Sequence, residues 1–307
     1  MRIDLRHLRA FEAVAEELHF RRAAERLNLA QPALSRTIQQ LEDTVGEVLL
    51  LRSNRRVELT EAGRVFLAGS RTIFEQLANT VEQARKAGAG QIGQLRIGYT
   101  DFAVSGKLPS ILDGFHRRHP EIKAELIFGS TQHQLEHLKE GAIEFAFITG
   151  PLSEPNIDSL EVQSDRFVAA LSERHPLAGR SQIALSELAK EPFILGGMSH
   201  WSFYRRHLDA LCIKAGFLPQ VAQEAFNSEG IFGFVAANIG VTIHLETASN
   251  YNRKGVVLIP LQDVDTRIST LAAWINTDIT PVQEKFIEYL RQYSAAAQLD
   301  VPPPVGS

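Results

Sequence analysis

The sequence predicts two parts of different fold class: a small helical unit that ends in a long helix, and then an α/β unit with a mostly parallel sheet. Apolar residues recur every three or four positions over residues 5–87, whereas short strands and helices alternate from about residue 94. Residues 1–90 carry 14 Lys and Arg and 12 Asp and Glu, a net charge of +2, whereas the remaining 18 of 32 cations and 24 of 36 anions give −6. The length of 307 residues also suits about two domains.

Three helices are predicted within the first 45 residues. Apolar side chains at helical spacing mark one face of a first helix over Leu5–Leu18, and a second, shorter helix covers Phe20–Leu27. The stretch Asn28–Ala30 interrupts the pattern. A third helix begins at Gln31-Pro32, because proline is tolerated in a first turn, where its missing N–H would be unpaired anyway. Two short helices joined by a tight turn form the helix-turn-helix pattern.

A hairpin and a long helix follow. The apolar runs Val48–Leu51 and Val57–Leu59 flank a basic tip and predict a two-stranded wing. Thr60 suits the N-cap of a helix that runs to about Ala87, and the glycine-rich segment after it predicts a flexible hinge over residues 89–93. The helix carries a narrow apolar stripe, which favours pairing with a second helix; packing on its own domain is the alternative. The stripe consists of Phe66, Ile73, Leu77, Val81 and Ala84.

The second part is predicted to be α/β. Regular alternation of strands and helices from Gln94 indicates a sheet covered by helices. About 200 residues is large for one such sheet, so two lobes are expected. Lobe 1 is assigned residues 94–163 and 268–300, and lobe 2 residues 164–267. The proline-rich end, residues 301–307, predicts a flexible tail.

Composition excludes several classes of protein. With 44% hydrophobic residues the chain can form cores. No apolar run reaches the roughly 18 residues of a membrane span, and the charged N-terminus has no signal-peptide core. One cysteine excludes an internal disulfide and any multi-cysteine metal site. A soluble, cytoplasmic protein without a cofactor is therefore expected.

The chain resembles the LysR-type transcriptional regulators over its whole length. The specific part is N-terminal: Ala-Ala-Glu-Arg-Leu at residues 23–27, Gln-Pro-Ala-Leu-Ser at 31–35 and Leu-Thr-Glu-Ala-Gly at 59–63. Leu-Arg-Ile-Gly-Tyr-Thr at 95–100 and Gly-Lys-Leu-Pro at 106–109 fit less specifically.

The resemblance implies a winged helix-turn-helix DNA-binding domain over residues 1–59 and a linker helix over 60–88 that pairs two subunits. It also implies an effector-binding domain over 94–300, made of two Rossmann-like lobes similar to periplasmic binding proteins. The implied partners are double-stranded DNA, a small-molecule effector and further copies of the chain, in a homotetramer made from two dimers. A solute-binding or transport component is the alternative that the bilobed half alone suggests. The sequence has no phosphate loop or nucleophile elbow, so no enzyme is expected.

Base contacts are predicted for the start of the third helix, because the N-terminal residues of a recognition helix lie near base edges. Glutamine can bond adenine, arginine can bond guanine, and proline can touch a thymine methyl. The candidates are Gln31, Pro32, Ser35, Arg36, Gln39 and Gln40. On the wing, Arg52, Arg55 and Arg56 are predicted to contact phosphate or the minor groove. For any single arginine, a solvated surface charge is the alternative.

The effector pocket is predicted at the carboxyl ends of strands and at helix N-termini, where ligands of α/β lobes bind. The candidates in lobe 1 are Thr100, Asp101, Phe102, Ser130, Thr131 and Thr149, and those in lobe 2 are Gly197, Trp201, Phe203 and Asn227. Ordinary helix caps and a surface aromatic are the alternative. The family resemblance implies an arginine just after the third strand in members that sense aromatic acids, but the segment Ile148–Pro151 has no cation, which favours a neutral or weakly polar effector over an anionic one. Lys107 could take the place of that arginine only if it points inward.

Two further features have a structural interpretation. His133 and His137 have the four-residue spacing that can bind zinc on a helix, but no third ligand is evident, so a solvated helix face is expected. Cys212 lies near Leu208 and Leu211 on a predicted apolar face, which favours a small core residue over a redox sensor.

Overall fold

The computed structural model describes residues 3–52 and 56–299 and divides into two units, Met1–Arg85 and Lys86–Ser307. Each unit has its own hydrophobic core. None of the helices in the described ranges has the length and hydrophobicity that spanning a bilayer requires. The tip of the predicted wing, residues 53–55, and the predicted tail, residues 301–307, lie outside the described residues.

Helices and one hairpin make up the described chain to residue 88, in the predicted order. They are α1 (Leu5–Glu17), α2 (Phe20–Arg26), α3 (Gln31–Val45), β1 (Leu50–Arg52), β2 (Val57–Leu59) and α4 (Glu61–Gly88). Phe11, Leu34 and Ile38 are fully buried at the centre of the unit, on the inward faces of their helices. Leu18 was predicted on the apolar face of the first helix, but it ends α1 with a left-handed φ of 47° and is 48% exposed.

The start of α4 is fixed by a local contact. The hydroxyl oxygen of Thr60 accepts a hydrogen bond from the N–H of Gly63 at 2.9 Å, which confirms the predicted N-cap. The last residue of the predicted hinge over residues 89–93, Gly93, is the first residue of strand β3 (Gly93–Tyr99). Gly90 has φ +62° and is packed so closely on Pro281 that a Cβ would lie 2.6 Å from its carbonyl carbon. Glycine is therefore required there.

The second unit is built on a mixed sheet. Its further strands are β4 (Ile122–Phe128), β5 (Phe145–Thr149), β6 (Ile157–Ser172), β7 (Pro192–Gly196), β8 (Gln220–Ala225), β9 (Thr242–Leu245), β10 (Val256–Pro260) and β11 (Arg267–Ile275). The strand order is β10-β6-β11-β5-β3-β4, with β9 also paired to β6, and β7 and β8 form a second sheet. Only β3–β4, β3–β5 and β7–β8 are parallel among the described strands of this unit. The prediction of a mostly parallel sheet was wrong, because the long strands β6 and β11 run antiparallel to their neighbours.

The strand β6 connects two lobes. Residues 157–166 of β6 pair with β11, whereas residues 167–172 pair with β9 and β10. Lobe 1 contains β3, β4 and β5 around a core that includes Phe145 and Phe286. Lobe 2 contains β7, β8, β9 and β10 around a core that includes Phe193 and Leu208. The two-lobed α/β unit and the winged helix-turn-helix unit agree with the predicted fold class.

Helix N-termini in this unit lie at the carboxyl ends of strands. The helices are α5 (Asp101–Ser105), α6 (Leu108–Arg118), α7 (Thr131–Lys139), α8 (Met198–Lys214), α9 (Ser228–Ala236) and α10 (Pro281–Leu299). α5 follows β3, α7 follows β4, α8 follows β7 and α9 follows β8. This arrangement places unpaired N–H groups where ligands of α/β lobes bind. The helix α5, which has only five residues, was not predicted from the sequence.

Candidate functional site

The outer face of α3 carries the side chains predicted to contact DNA bases. Leu34, Ile38 and Leu41 are buried, so the opposite face of the helix lies in solvent. Arg36 makes no ion pair or hydrogen bond with any described residue. Its guanidinium is therefore available to a base edge or a phosphate. Gln31, Pro32, Arg36, Gln39 and Gln40 are exposed, and Ser35 is half-buried.

The wing arginines differ in their surroundings. Arg52 Nη2 lies 2.5 Å from Glu42 Oε2 on α3, and the Arg52 side chain is 37% exposed. This ion pair holds the base of the wing against α3. Arg56 is far more exposed and lies 4.0 Å from Glu58. Arg55 lies outside the described residues.

The apolar stripe of α4 is exposed over much of its length. Phe66 packs on Phe11 with ring centroids 5.3 Å apart and belongs to the core of the first unit. Ile73, Leu77 and Val81 are 37–45% exposed. Val65, which was not predicted as part of the stripe, is 69% exposed and lines a wide apolar groove together with side chains from α1. Exposed apolar groups in a continuous row mark an interaction surface.

A small pocket lies between the two lobes. The ends of β3, β4 and β5 contribute one side, and the first turns of α8 contribute the other. Eight of the ten predicted effector-binding residues line it: Thr100, Asp101, Phe102, Ser130, Thr131, Thr149, Trp201 and Phe203. The structure therefore brings together residues that lie up to about a hundred positions apart in the sequence.

Hydroxyl groups line the lobe 1 side of this pocket. Ser130 Oγ accepts a hydrogen bond from the N–H of His133 at 3.2 Å and caps α7. Thr131 Oγ1 accepts one from the N–H of Thr149 at 3.1 Å. The hydroxyl of Thr100 is buried and has no hydrogen-bond partner in the structure. Because a buried polar group without a partner is costly, Thr100 is the strongest indication of a polar ligand atom.

Aromatic rings form the lobe 2 side. Phe102 contacts the rings of Trp201 and Tyr204, with centroids 5.0 and 4.7 Å away. Trp201 Nε1 donates to the carbonyl of Phe226 at 2.9 Å, and the Tyr204 hydroxyl donates to the carbonyl of Ile243 at 3.1 Å. Burial raises the pKa of Tyr204, so it remains a neutral donor. With their polar atoms satisfied, these side chains offer apolar surface to a ligand.

Two predicted residues do not line the pocket. Asn227 Oδ1 accepts a hydrogen bond from the N–H of Gly230 at 2.9 Å, so its side chain is the N-cap of α9. Gly197 is the N-cap residue of α8 and has no side chain to contribute. Both residues were predicted to bind the effector because they lie at helix starts. In the structure both are N-cap residues.

Four lining residues were missed by the sequence analysis. They are Phe128, Gly129, His200 and Tyr204. Tyr204 could have been found, because it follows Trp201 by three positions and so shares its helix face. Phe128 is the last residue of β4, and its ring contacts Tyr99 on the neighbouring strand, with centroids 5.6 Å apart. Nothing in the local pattern distinguishes it from other strand ends.

The histidine pair lies on α7, and the cysteine lies in a core. The rings of His133 and His137 stack with centroids 5.4 Å apart. Within the described residues no group of three or more His, Cys, Asp and Glu is placed to hold a metal ion. Cys212 is fully buried in the core of lobe 2, which confirms the predicted core role. Burial raises the pKa of its thiol to about 12.

Together, these features define a DNA-binding regulator: a helix-turn-helix with a free polar recognition face, followed by a bilobed α/β unit with a ligand pocket. Comparison with known families identifies it further. Residues 5–64 match the family of bacterial regulatory helix-turn-helix proteins of the lysR family, and residues 88–295 match the LysR substrate binding domain. The chain belongs to the LysR family of transcriptional regulators.

Known regulators are similar in sequence or structure to nearly the whole chain. The regulator AlsR of Bacillus subtilis is 35% identical over 93% of this chain and 94% of its own length. The regulator CatR of Pseudomonas putida is 35% identical over 94% of this chain and 99% of its own. Full-length BenM is 28% identical, covers 98% of this chain and 100% of its own, and superposes with a TM-score of 0.60. CbnR complexed with target DNA has a TM-score of 0.80 over 95% of this chain and all of its own, at 24% identity. These relatives are regulators, which contradicts the alternative of a transport component.

Proposed function

We propose that this regulator recognises an operator through α3 and the wing, and that a small molecule between lobes 1 and 2 changes that recognition. The exposed row of polar side chains on α3 supports the first part. The pocket between the lobes, with the unpartnered hydroxyl of Thr100 and its aromatic wall, supports the second. Lobe closure is a two-state element that such a ligand can bias.

The proposed base-contacting residues are those exposed on α3, with Arg56 and Arg55 of the wing on the phosphate backbone. The proposed role of Arg52 is to position the wing through its ion pair with Glu42. Selection from random duplexes, followed by fluorescence anisotropy of the full-length protein at several salt concentrations, tests this proposal. We expect a preferred sequence and a steep loss of affinity with salt. Equal binding of all duplexes would contradict it.

The proposed effector is small, with a flat apolar body and one polar group that reaches Thr100. The pocket-lining residues include no lysine and no arginine, which favours a neutral or weakly polar molecule. A thermal-shift screen of neutral and acidic aromatic metabolites tests this, because a ligand that binds only the folded state raises the melting temperature. We expect hits among neutral members of the set. A screen in which dianions alone are stabilising would contradict the proposed chemistry.

We also propose an assembly and a domain organisation. The exposed stripe of α4 suits a homodimer, and two dimers would give the tetramer expected from the family resemblance. The domains are assigned as residues 1–59, 60–88 and 94–300, with the hinge over residues 89–93 connecting the last two. A regulator that binds DNA works beside the chromosome, so we assign it to the cytoplasm and assign it no catalytic activity.

A further inference from the structure

Asp101 belongs to lobe 1, but both oxygens of its carboxylate are bound by lobe 2. Oδ2 accepts a hydrogen bond from the backbone N–H of Ser228 at 2.5 Å, and Oδ1 accepts one from the hydroxyl of Tyr251 at 3.3 Å. Burial, and then the charge of Asp101, raise the pKa of Tyr251 to about 12, which keeps this hydroxyl protonated as a donor. The contact therefore joins the two lobes through one carboxylate.

The carboxylate occupies a favourable anion position. Ser228 is the first residue of α9, a nine-residue helix, and its N–H has no partner within the helix. The helix dipole adds attraction for negative charge at this end. In α/β lobes such a helix start is an ordinary place for an anionic ligand. Here a side chain of the protein itself fills it.

Asp101 also lines the pocket between the lobes, beside Thr100. No lysine or arginine lines this pocket, and no ion pair of Asp101 occurs among the described residues. A second negative charge entering from the ligand would meet the Asp101 carboxylate without a nearby cation. Repulsion between like charges is strong where water is largely excluded. The buried, unpartnered hydroxyl of Thr100 offers one hydrogen bond to a ligand atom in the same pocket.

We propose that Asp101 is a specificity-determining residue: its carboxylate takes the anion position at the N-terminus of α9 and restricts the effector to molecules without a negative charge at the lobe 2 end. This inference rests on the proposed function, in which an effector binds between the lobes. It adds to that function the residue that excludes an anionic effector, Asp101, and the physical reason for the exclusion.

The test measures binding of acetate to the full-length protein at constant ionic strength, by thermal shift and by calorimetry. In Asp101→Ala the N–H of Ser228 loses its internal carboxylate and leaves room for another. We expect saturable acetate binding at least tenfold tighter than in the wild type. Asp101→Asn fills the same space, so it should gain no acetate site. Asp113→Ala, an exposed aspartate on α6, is the matched control and should behave as the wild type.

Equal responses to acetate in the wild type and Asp101→Ala would overturn the inference. If Asp101→Ala does not fold, Asp101→Ser replaces it, because its shorter side chain leaves the N–H of Ser228 open to acetate and keeps a polar group at the start of α5. The same tenfold gain is then required of Asp101→Ser. Acetate binding at the N-terminus of α9 requires no effector. If Asp101→Ala gains no acetate binding, this inference is contradicted but the proposed function is not. Failure of the proposed function appears separately, as a ligand screen without hits on the wild type.

Discussion

The guanidinium of Arg52 lies 2.5 Å from the carboxylate of Glu42, and this pair joins the wing to the recognition helix. The other oxygen, Glu42 Oε1, accepts hydrogen bonds from the backbone N–H groups of Leu49 and Leu50 at 2.9 and 3.0 Å. One carboxylate on α3 therefore holds three donors at the start of the wing. Any DNA contact made by the wing depends on this carboxylate for its position.

Glu42→Ala should loosen the wing, because two backbone donors lose their acceptor. An unpaired buried donor costs about 1–3 kcal/mol, so we expect the amides of Leu49 and Leu50 to exchange hydrogen about tenfold faster or more. Hydrogen–deuterium exchange of the full-length protein measures this directly. Asp43→Ala, at the exposed neighbouring position, should leave exchange unchanged. Unaltered protection in Glu42→Ala would mean that other contacts hold the wing.

Arg36→Ala should reduce sequence discrimination. If the guanidinium contacts a base, affinity for the selected operator falls by about 1–3 kcal/mol, while affinity for random duplex changes less. An arginine that contacts only phosphate would weaken both complexes alike and reduce the salt dependence. Fluorescence anisotropy on the two duplexes separates these outcomes. Arg117→Ala on α6, an exposed arginine of the second unit, is the control and should leave both affinities unchanged.

Valine at Thr100 and at Thr131 should have opposite effects on stability. Thr100→Val removes a buried hydroxyl without a partner, so the free energy of unfolding should stay constant or rise by about 1 kcal/mol. Thr131→Val leaves the N–H of Thr149 unpaired and should lower it by about 1–3 kcal/mol. Urea unfolding followed by tryptophan fluorescence reports on the second unit, because Trp201 and Trp274 are the only tryptophans in the chain. Destabilisation by Thr100→Val would show that its hydroxyl has a partner.

The local sequence pattern was sufficient to predict the helices and strands that carry the site residues. Helical spacing predicted α3, and the strand ends predicted most of the pocket, because ligand positions in α/β lobes follow from chain direction. The order of the lining residues along the chain also predicts that hydroxyl groups line one side of the pocket and aromatic rings line the other. Tyr204 was within reach of the same reasoning.

Long-range pairing was not predictable in this way. β6 is 16 residues long, and its first part, residues 157–166, pairs with β11 about a hundred positions later. The contact of Asp101 with Ser228 spans 127 positions. Asn227 was assigned to the pocket because a cap residue and a ligand-binding residue have the same sequence signature at a helix start. Only the fold separates the two roles.

Leu77→Lys on α4 should reduce the mass of the assembly. Leu77 lies in the exposed apolar stripe, and a charge buried at a helix–helix seam is strongly unfavourable. Sedimentation velocity should show a shift toward monomer at micromolar protein. Asn79→Lys, about half a helical turn away on the opposite face, adds the same charge and should leave the mass unchanged. An unchanged mass in Leu77→Lys would exclude the stripe as the subunit interface.

Asp165 should make the second unit less stable as pH rises through the mildly acidic range. It lies in β6 where pairing passes from β11 to β9, and its carboxylate accepts a hydrogen bond from Gln163. Burial raises the pKa of Asp165 from 3.8 to about 6, although the side chain amide of Gln163 acts in the opposite direction. The folded state therefore binds a proton more tightly than the unfolded state. The contribution of Asp165 to stability is largest near pH 4 and below, and it is lost, by up to about 3 kcal/mol, as pH rises to about 6.

Asp165→Asn should remove this pH dependence. His244 contributes a slope of opposite sign, because burial lowers its pKa to about 4 and its stabilisation is lost as pH falls from 6.5. His244 is present in both proteins, so the difference between the unfolding free energies of wild type and Asp165→Asn isolates Asp165. Tryptophan fluorescence in urea between pH 4 and 7 measures both. The control is Asp158→Asn, at an exposed position on the same strand, which should show the same pH dependence as the wild type. If the difference in unfolding free energy between wild type and Asp165→Asn stays constant with pH, the Asp165 carboxyl titrates normally.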